Sequence, residues 1–218
     1  MNVIGTALTE LYRIFSILNH DKFGDELPEP VITIQKTRGR SLGHFSLDKC
    51  WRNKHSVENE GVDDSDDTAY YEINIDPRWF DHRTAAEVAE TLLHEMCHYY
   101  NKLSDIKDCN GNVHNKKFKK LAEGVGLIVT KGKSVGYGYT SLSDELKEYV
   151  DEVVKPDAKA FEYFRAGKIS KDSGTNVRTK SMFKYTCPNC GQIAKGKRDI
   201  TIKCGLCEVD MEIENNED

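Results

Sequence analysis

Residues 91–102, TLLHEMCHYYNK, decide how the rest of the chain is read. His94 and His98 stand four positions apart, with Glu95 directly after the first. On a helix, residues i and i+4 share a face, so both imidazoles aim at one point. Neutral imidazole is a favourable zinc ligand. Glu95 is rotated by about 100° from His94. It is therefore better placed to hold a water beside an ion than to ligate the ion. That set serves metal-assisted hydrolysis, in which the ion acidifies a water and the carboxylate takes its proton. The five-residue pattern also arises by chance, as two polar residues one helical turn apart. Its surroundings argue for the site. Thr84 and Glu87 form a T-x-x-E capping box, which predicts a helix running to about Asn101. Leu92 and Leu93 frame the polar pair, and Cys97 falls on another side as a small core residue.

A catalytic zinc usually has three protein ligands and one open position. The longer metzincin pattern needs Gly and His where this chain has Asn101 and Ser104, so that arrangement is excluded. Candidates for the third ligand are His114, Cys109, Asp105 and Glu123. His114 is favoured, because the turn DCNGN (108–112) lets the chain reverse and return it beside the first helix. Cys109 would make a softer, more closed site, and Glu123 a glutamate-ligated one. His20, His44, His55 and His82 read as surface residues.

Upstream, TALTELYRIFSILN (6–19) places Leu8, Leu11, Tyr12, Phe15 and Leu18 on one helical face. VITIQK (31–36) and AYYEINID (69–76) read as strands, with a further strand opening at SLGHFS (41–46). Downstream, helical spacing resumes in HNKKFKKLAEGVG (114–126) and again in SLSDELKEYVDEVV (141–154), before Pro156. No internal repeat is evident.

The 218 residues allow one full domain and a small one. No run of 18 apolar residues offers a membrane span. The N-terminus has an early Glu10 and neither a basic start nor a small-residue cleavage site. It reads as mature protein, and the expected location is the cytoplasm. A net charge of −5 excludes a uniformly nucleic-acid-coating protein. The charge is uneven, however. Residues 58–67, ENEGVDDSDD, carry six acids and no base, inside a polar stretch (49–69) that reads as an acidic insertion. Residues 165–207 carry ten Lys and Arg against Asp172 and Asp199, a local excess of eight. Their first part, RAGKISKDSGTNVRTKSM (165–182), reads as a basic linker.

Cys187, Cys190, Cys204 and Cys207 form two C-x-x-C pairs separated by 13 residues. That spacing signals a structural zinc ribbon, closed by four thiolates, on a hairpin too small to fold without metal. The other readings, two disulfides or a redox pair, suit a reducing compartment less well. Arg178, Lys180, Lys184, Lys195, Lys197 and Arg198 surround the ribbon and form a candidate patch for phosphates. Phe183 and Tyr185 are candidates to stack on bases. The other reading of this patch is a solvated face with its aromatics packed under the ribbon.

TLLHEMCHYYN, a 15-residue gap after His98 and then HNKKF resemble the SprT-like zinc metallopeptidase family. LNHDKFGDELPEPVITIQ resembles its N-terminal helix, F-x-x-x-L-P segment and first strand, and GHFS with YYEINID its next strands. GYGYTSLSDEL is similar to a segment of phage and bacterial members. The resemblance spans roughly residues 5–150. It implies an α+β, zincin-like metallopeptidase domain, whose bounds read as 1–163; composition and cysteine spacing then give a basic linker over 164–182 and the zinc ribbon, with its structural Zn2+, over 183–214. The resemblance implies His94, His98 and His114 as ligands of a catalytic Zn2+. Glu95 would be the catalytic base, and protein substrates bound or crosslinked to DNA would be the targets. One departure is Asn115, where the family usually has Gly after the third His. The competing reading is a zinc-stabilised DNA- or protein-binding module that hydrolyses nothing.

Overall fold

The computed structural model describes residues 2–52, 69–166, 183–197 and 200–213. The chain divides into two compact units, residues 1–169 and 170–218.

The first unit opens with α1 (Val3–Phe23), capped by the Asn2 side chain, which accepts from Gly5 N–H, and closed by Gly24 in the left-handed region. Leu11, Ile14, Phe15 and Leu18 are buried along one side, as their spacing predicts. Strands β1 (Val31–Ile34), β2 (Gly43–Phe45) and β5 (Glu72–Ile75) form a sheet ordered β1-β5-β2. β1 runs parallel to β5 and β2 antiparallel to it, which leaves β2 at an edge. The stretch 69–76 is two short strands rather than one: β4 (Ala69–Tyr70) pairs with β3 (Trp51–Arg52), and β5 follows after Tyr71. The acidic run 58–67 lies outside the described residues.

α2 (Ala85–Leu103) carries the motif. Its capping box forms as predicted: Glu87 N–H donates to the Thr84 hydroxyl, and Thr84 N–H donates to the Glu87 carboxylate. Val88, Leu92, Leu93, Met96 and Cys97 are buried to 2% exposure or less. Each large apolar side chain so buried contributes about 1.5–3 kcal/mol. This fixes the rotation of α2 and therefore the direction of its polar face.

Next comes a second sheet, ordered β6-β7-β9-β8, of β6 (Cys109–Asn110), β7 (Val113–His114), β8 (Leu127–Gly132) and β9 (Gly136–Leu142). Between β7 and β8 lies α3 (Lys116–Gly124). His114 therefore stands on a strand rather than at the start of a helix. Asn115 takes up extended backbone and caps α3, its side chain accepting from Lys117 N–H at 2.7 Å. The departure at this position thus has a structural use that needs no glycine. The predicted helix over 141–154 is shorter than expected: α4 (Asp144–Tyr149) passes into one turn of π-helix (Val150–Val154).

The second unit is a three-stranded sheet of β10 (Phe183–Thr186), β11 (Ile193–Gly196) and β12 (Glu212–Ile213), with β10 in the middle. Its small core is Tyr185, Cys187, Cys204 and Met211. Among the described residues no helix is long and apolar enough to cross a membrane.

Candidate metal centre

α2 and β7 bring three imidazoles together. His94 Nε2 and His98 Nε2 lie 3.2 Å and 3.0 Å from His114 Nε2. Tetrahedral ligands at zinc bond lengths stand about 3.3 Å apart, so this spacing suits one ion. The Phe118 ring sits under all three, with centroids 4.6–4.7 Å away, and is fully buried.

The outward nitrogens settle which ring nitrogen carries the proton. His98 Nδ1 faces Asp108 Oδ2 at 2.7 Å, and His114 Nδ1 faces the Val135 carbonyl at 3.1 Å. Both partners only accept, so both Nδ1 atoms donate. His94 Nδ1 lies 3.1 Å from the Thr140 hydroxyl, which gives its own proton to Glu90 at 2.7 Å and so accepts from His94. Arg83 holds the other Glu90 oxygen at 2.7 Å. In the neutral rings, all three Nε2 atoms then turn bare lone pairs toward one another. That is a repulsive arrangement unless a cation stands among them, and the residues fit a metal on this ground. Burial first, then the neighbouring imidazoles, holds His94 well below its ordinary pKa; His114 is lowered by burial and by His98. Both are kept neutral, as ligands must be.

Glu95 does not join the three rings. It is 6% exposed and lies under edge strand β2, where Phe45 N–H donates to it. Burial pushes its carboxyl up to about 7. A bound dication opposes that shift.

The other third-ligand candidates fall elsewhere. Cys109 clusters with His98 and Asp108 rather than with the three imidazoles. Glu123 pairs with Lys119 at 3.5 Å, and Asp105 is exposed in a left-handed turn. His20, His44 and His82 are exposed, and His55 lies outside the described residues. Thr140, Asp108 and the Val135 carbonyl were not singled out from sequence. A carboxylate in the loop between His98 and His114 was the one visible signal for them.

The SprT-like family model matches residues 11–135. The chain belongs to the SprT-like family. No curated protein and no solved structure matches it. The matched span of this SprT-like chain includes α2 and all three imidazoles, and it ends before β9 supplies Thr140.

In the second unit the ligand atoms of Cys187, Cys190, Cys204 and Cys207 all lie within 4.8 Å of one another, and none is in a disulfide. The two knuckles repeat one geometry. Gly191 N–H donates to the Cys187 carbonyl and Glu208 N–H to the Cys204 carbonyl, and both donors have positive φ, 71° and 55°. Backbone N–H groups of Cys207 and Leu206 lower the Cys204 thiol to about 7. Four sulfurs at this spacing are compatible with a zinc ribbon.

Tyr185 corrects the stacking expectation. It is 4% exposed, packs in the ribbon core and donates its hydroxyl to the Lys197 carbonyl at 2.7 Å. Phe183 is half-buried on the same side. Lys184 and Lys195 are register partners on the opposite, exposed face, and Lys197 is exposed too. Arg178, Lys180 and Arg198 lie outside the described residues.

Proposed function

We propose that this SprT-like chain is a zinc metalloendopeptidase whose targets are proteins carried on DNA. The convergence of three Nε2 atoms, each ring held from behind through its Nδ1, is the observation that carries this reading. His94, His98 and His114 would hold the zinc. A zinc ion there supplies Lewis acidity to a water and to the scissile carbonyl.

Glu95 is the base. Its carboxylate takes a proton from the attacking water as the water oxygen bonds to the carbonyl carbon. It returns that proton to the amine as the C–N bond breaks. Thr140, Asp108 and the Val135 carbonyl hold the three rings in one tautomer and one orientation.

A structural zinc on Cys187, Cys190, Cys204 and Cys207 would fold the ribbon. Its exposed Lys184, Lys195 and Lys197 would contact phosphates, with Arg178, Lys180 and Arg198 adding to the charge.

The test is cleavage of a histone by the zinc-loaded protein, without DNA, with single-stranded DNA and with duplex. Cleavage that requires DNA and is lost in Glu95→Gln, with zinc retained, supports the reading. Full cleavage by Glu95→Gln rejects the base. No cleavage in any arm, with two zinc ions per chain, moves the reading to a binding module.

A further inference from the structure

A second basic surface lies on the first unit. Residues 107–139 hold seven lysines and no arginine, against Asp108 and Glu123 alone. The excess remains after both acids are counted. Asp108 is buried against His98, and Glu123 is paired with Lys119. The chain as a whole is at −5, so this excess of five is a local concentration.

Six of the seven stand on α3 and the β8–β9 hairpin. Phe118 and Ala122 turn the inner face of α3 into the core, which leaves Lys116, Lys117 and Lys120 exposed. Lys119 from α3 and Lys131 from β8 both reach the Tyr137 ring, at 5.4 Å and 5.7 Å from its centroid. Cations from two elements, one of them also paired with Glu123, thus meet over one aromatic ring. Tyr139, two residues on along β9, is 56% exposed. The residue between Tyr139 and Ser141 is Thr140, which holds His94. Because strand side chains alternate, the tyrosines occupy the outer face of the strand that supports the metal centre from its inner face.

We propose that the outer face of α3 and the β8–β9 hairpin binds single-stranded nucleic acid. Lysines neutralise backbone phosphates as point charges, without reading sequence. Interleaved exposed tyrosine supplies a platform for an unpaired base, which a duplex does not offer. This goes beyond the peptidase reading, because it places a nucleic-acid contact on the catalytic unit itself.

The test uses the full-length, zinc-loaded Glu95→Gln protein and the anisotropy of a labelled single-stranded 20-mer across a salt series. Its result does not depend on hydrolysis, so it stands or falls separately from the peptidase assignment. The variant Lys116→Gln/Lys117→Gln/Lys120→Gln alters only exposed side chains. It should flatten the log–log salt slope by about 2. Tyr139→Ala should weaken binding about tenfold with the slope unchanged. Lys184→Gln/Lys195→Gln serves as the ribbon control, and its loss should add to that of the α3 variant. Three results would overturn the proposal: an α3 variant that binds like its parent, duplex bound as tightly as the single strand with no effect of Tyr139→Ala, or a polyglutamate peptide that competes on equal terms.

Discussion

A Cβ placed on Gly43 would stand 2.8 Å from Oε1 of Glu95 and 3.1 Å from the Asn74 carbonyl oxygen. Edge strand β2 therefore runs so close over the proposed base that only a hydrogen fits between them. The backbone cannot retreat freely, because Gly43 is in register with Ile75 of β5. Gly43→Ala is expected to push the Glu95 carboxylate aside. A displacement near 1 Å costs about 100-fold in rate. The expected signature is that loss in kcat/KM with both zinc ions retained and little change in Tm. An alanine variant of full activity would show that Glu95 has room to spare and is not held by the strand.

His98 donates to Asp108, and Asn101 donates to the same carboxylate oxygen at 3.1 Å. Burial pushes the Asp108 carboxyl up, but the His98 and Asn101 bonds outweigh it and hold it below its ordinary value. It is thus an anion that orients the ring and strengthens its lone pair. Asp108→Asn should weaken zinc binding at the three histidines about 10–100-fold. Competition with a chromophoric chelator reads this, and the four-cysteine site provides an internal standard. Equal loss from both sites would mean that the fold, not the ligand shell, had been damaged.

The motif helix was legible because each of its signals is local: the capping box, the i,i+4 pair and the apolar frame. His114 was within reach because a turn separates it from α2. The β8–β9 hairpin was not read as strands. Gly132, Gly136 and Gly138 break its apolar alternation, and two of these sites have a physical need for glycine. A Cβ on Gly136 would meet the His114 backbone at 2.2 Å, and one on Gly138 would meet the His114 ring at 2.5 Å. The glycines that conceal the strand are what let it approach His114. Tyr185 was open to correction from parity alone. It lies two residues before Cys187, so it shares that cysteine's face, and Lys184 takes the other.

Chelation should separate the two units. The ribbon core consists of Tyr185, Met211 and the cysteines themselves, too little to fold without metal. The first unit has a continuous apolar core from Ala7 to Phe161 and should persist. Treatment with a strong zinc chelator at neutral pH should therefore abolish amide protection over 183–213 and leave α1 and the core of α2 protected. Hydrogen exchange by mass spectrometry resolves the two regions. Protection of β10 that survives metal removal would contradict a zinc-dependent ribbon.

Asp76 and Arg78 form a buried pair whose pH dependence has a defined sign. Their side chains are 0% and 6% exposed, and Arg78 also donates to the Gly39 carbonyl at 3.0 Å. Burial pushes the Asp76 carboxyl up, yet the bonds from Arg78 and from Thr37 outweigh it, so its folded pKa lies below the ordinary 3.8. A depressed pKa means that the folded state holds the carboxylate more firmly than the unfolded chain does. The pair's contribution is then complete above about pH 4 and is lost as pH falls through the lower, folded value. Asp76→Asn leaves a buried guanidinium without its anion, which costs about 3–5 kcal/mol. Urea unfolding followed by tryptophan fluorescence can measure this, because Trp51 and Trp79 both lie in the first unit. At each pH the variant is compared with the parent, so loss of metal in acid cancels. The stability gap should be full at pH 7, still nearly full at pH 5, and closing below pH 4. A gap that stayed constant into acid would mean that the asparagine harms packing rather than charge, and the buried pair would then carry no linkage to pH.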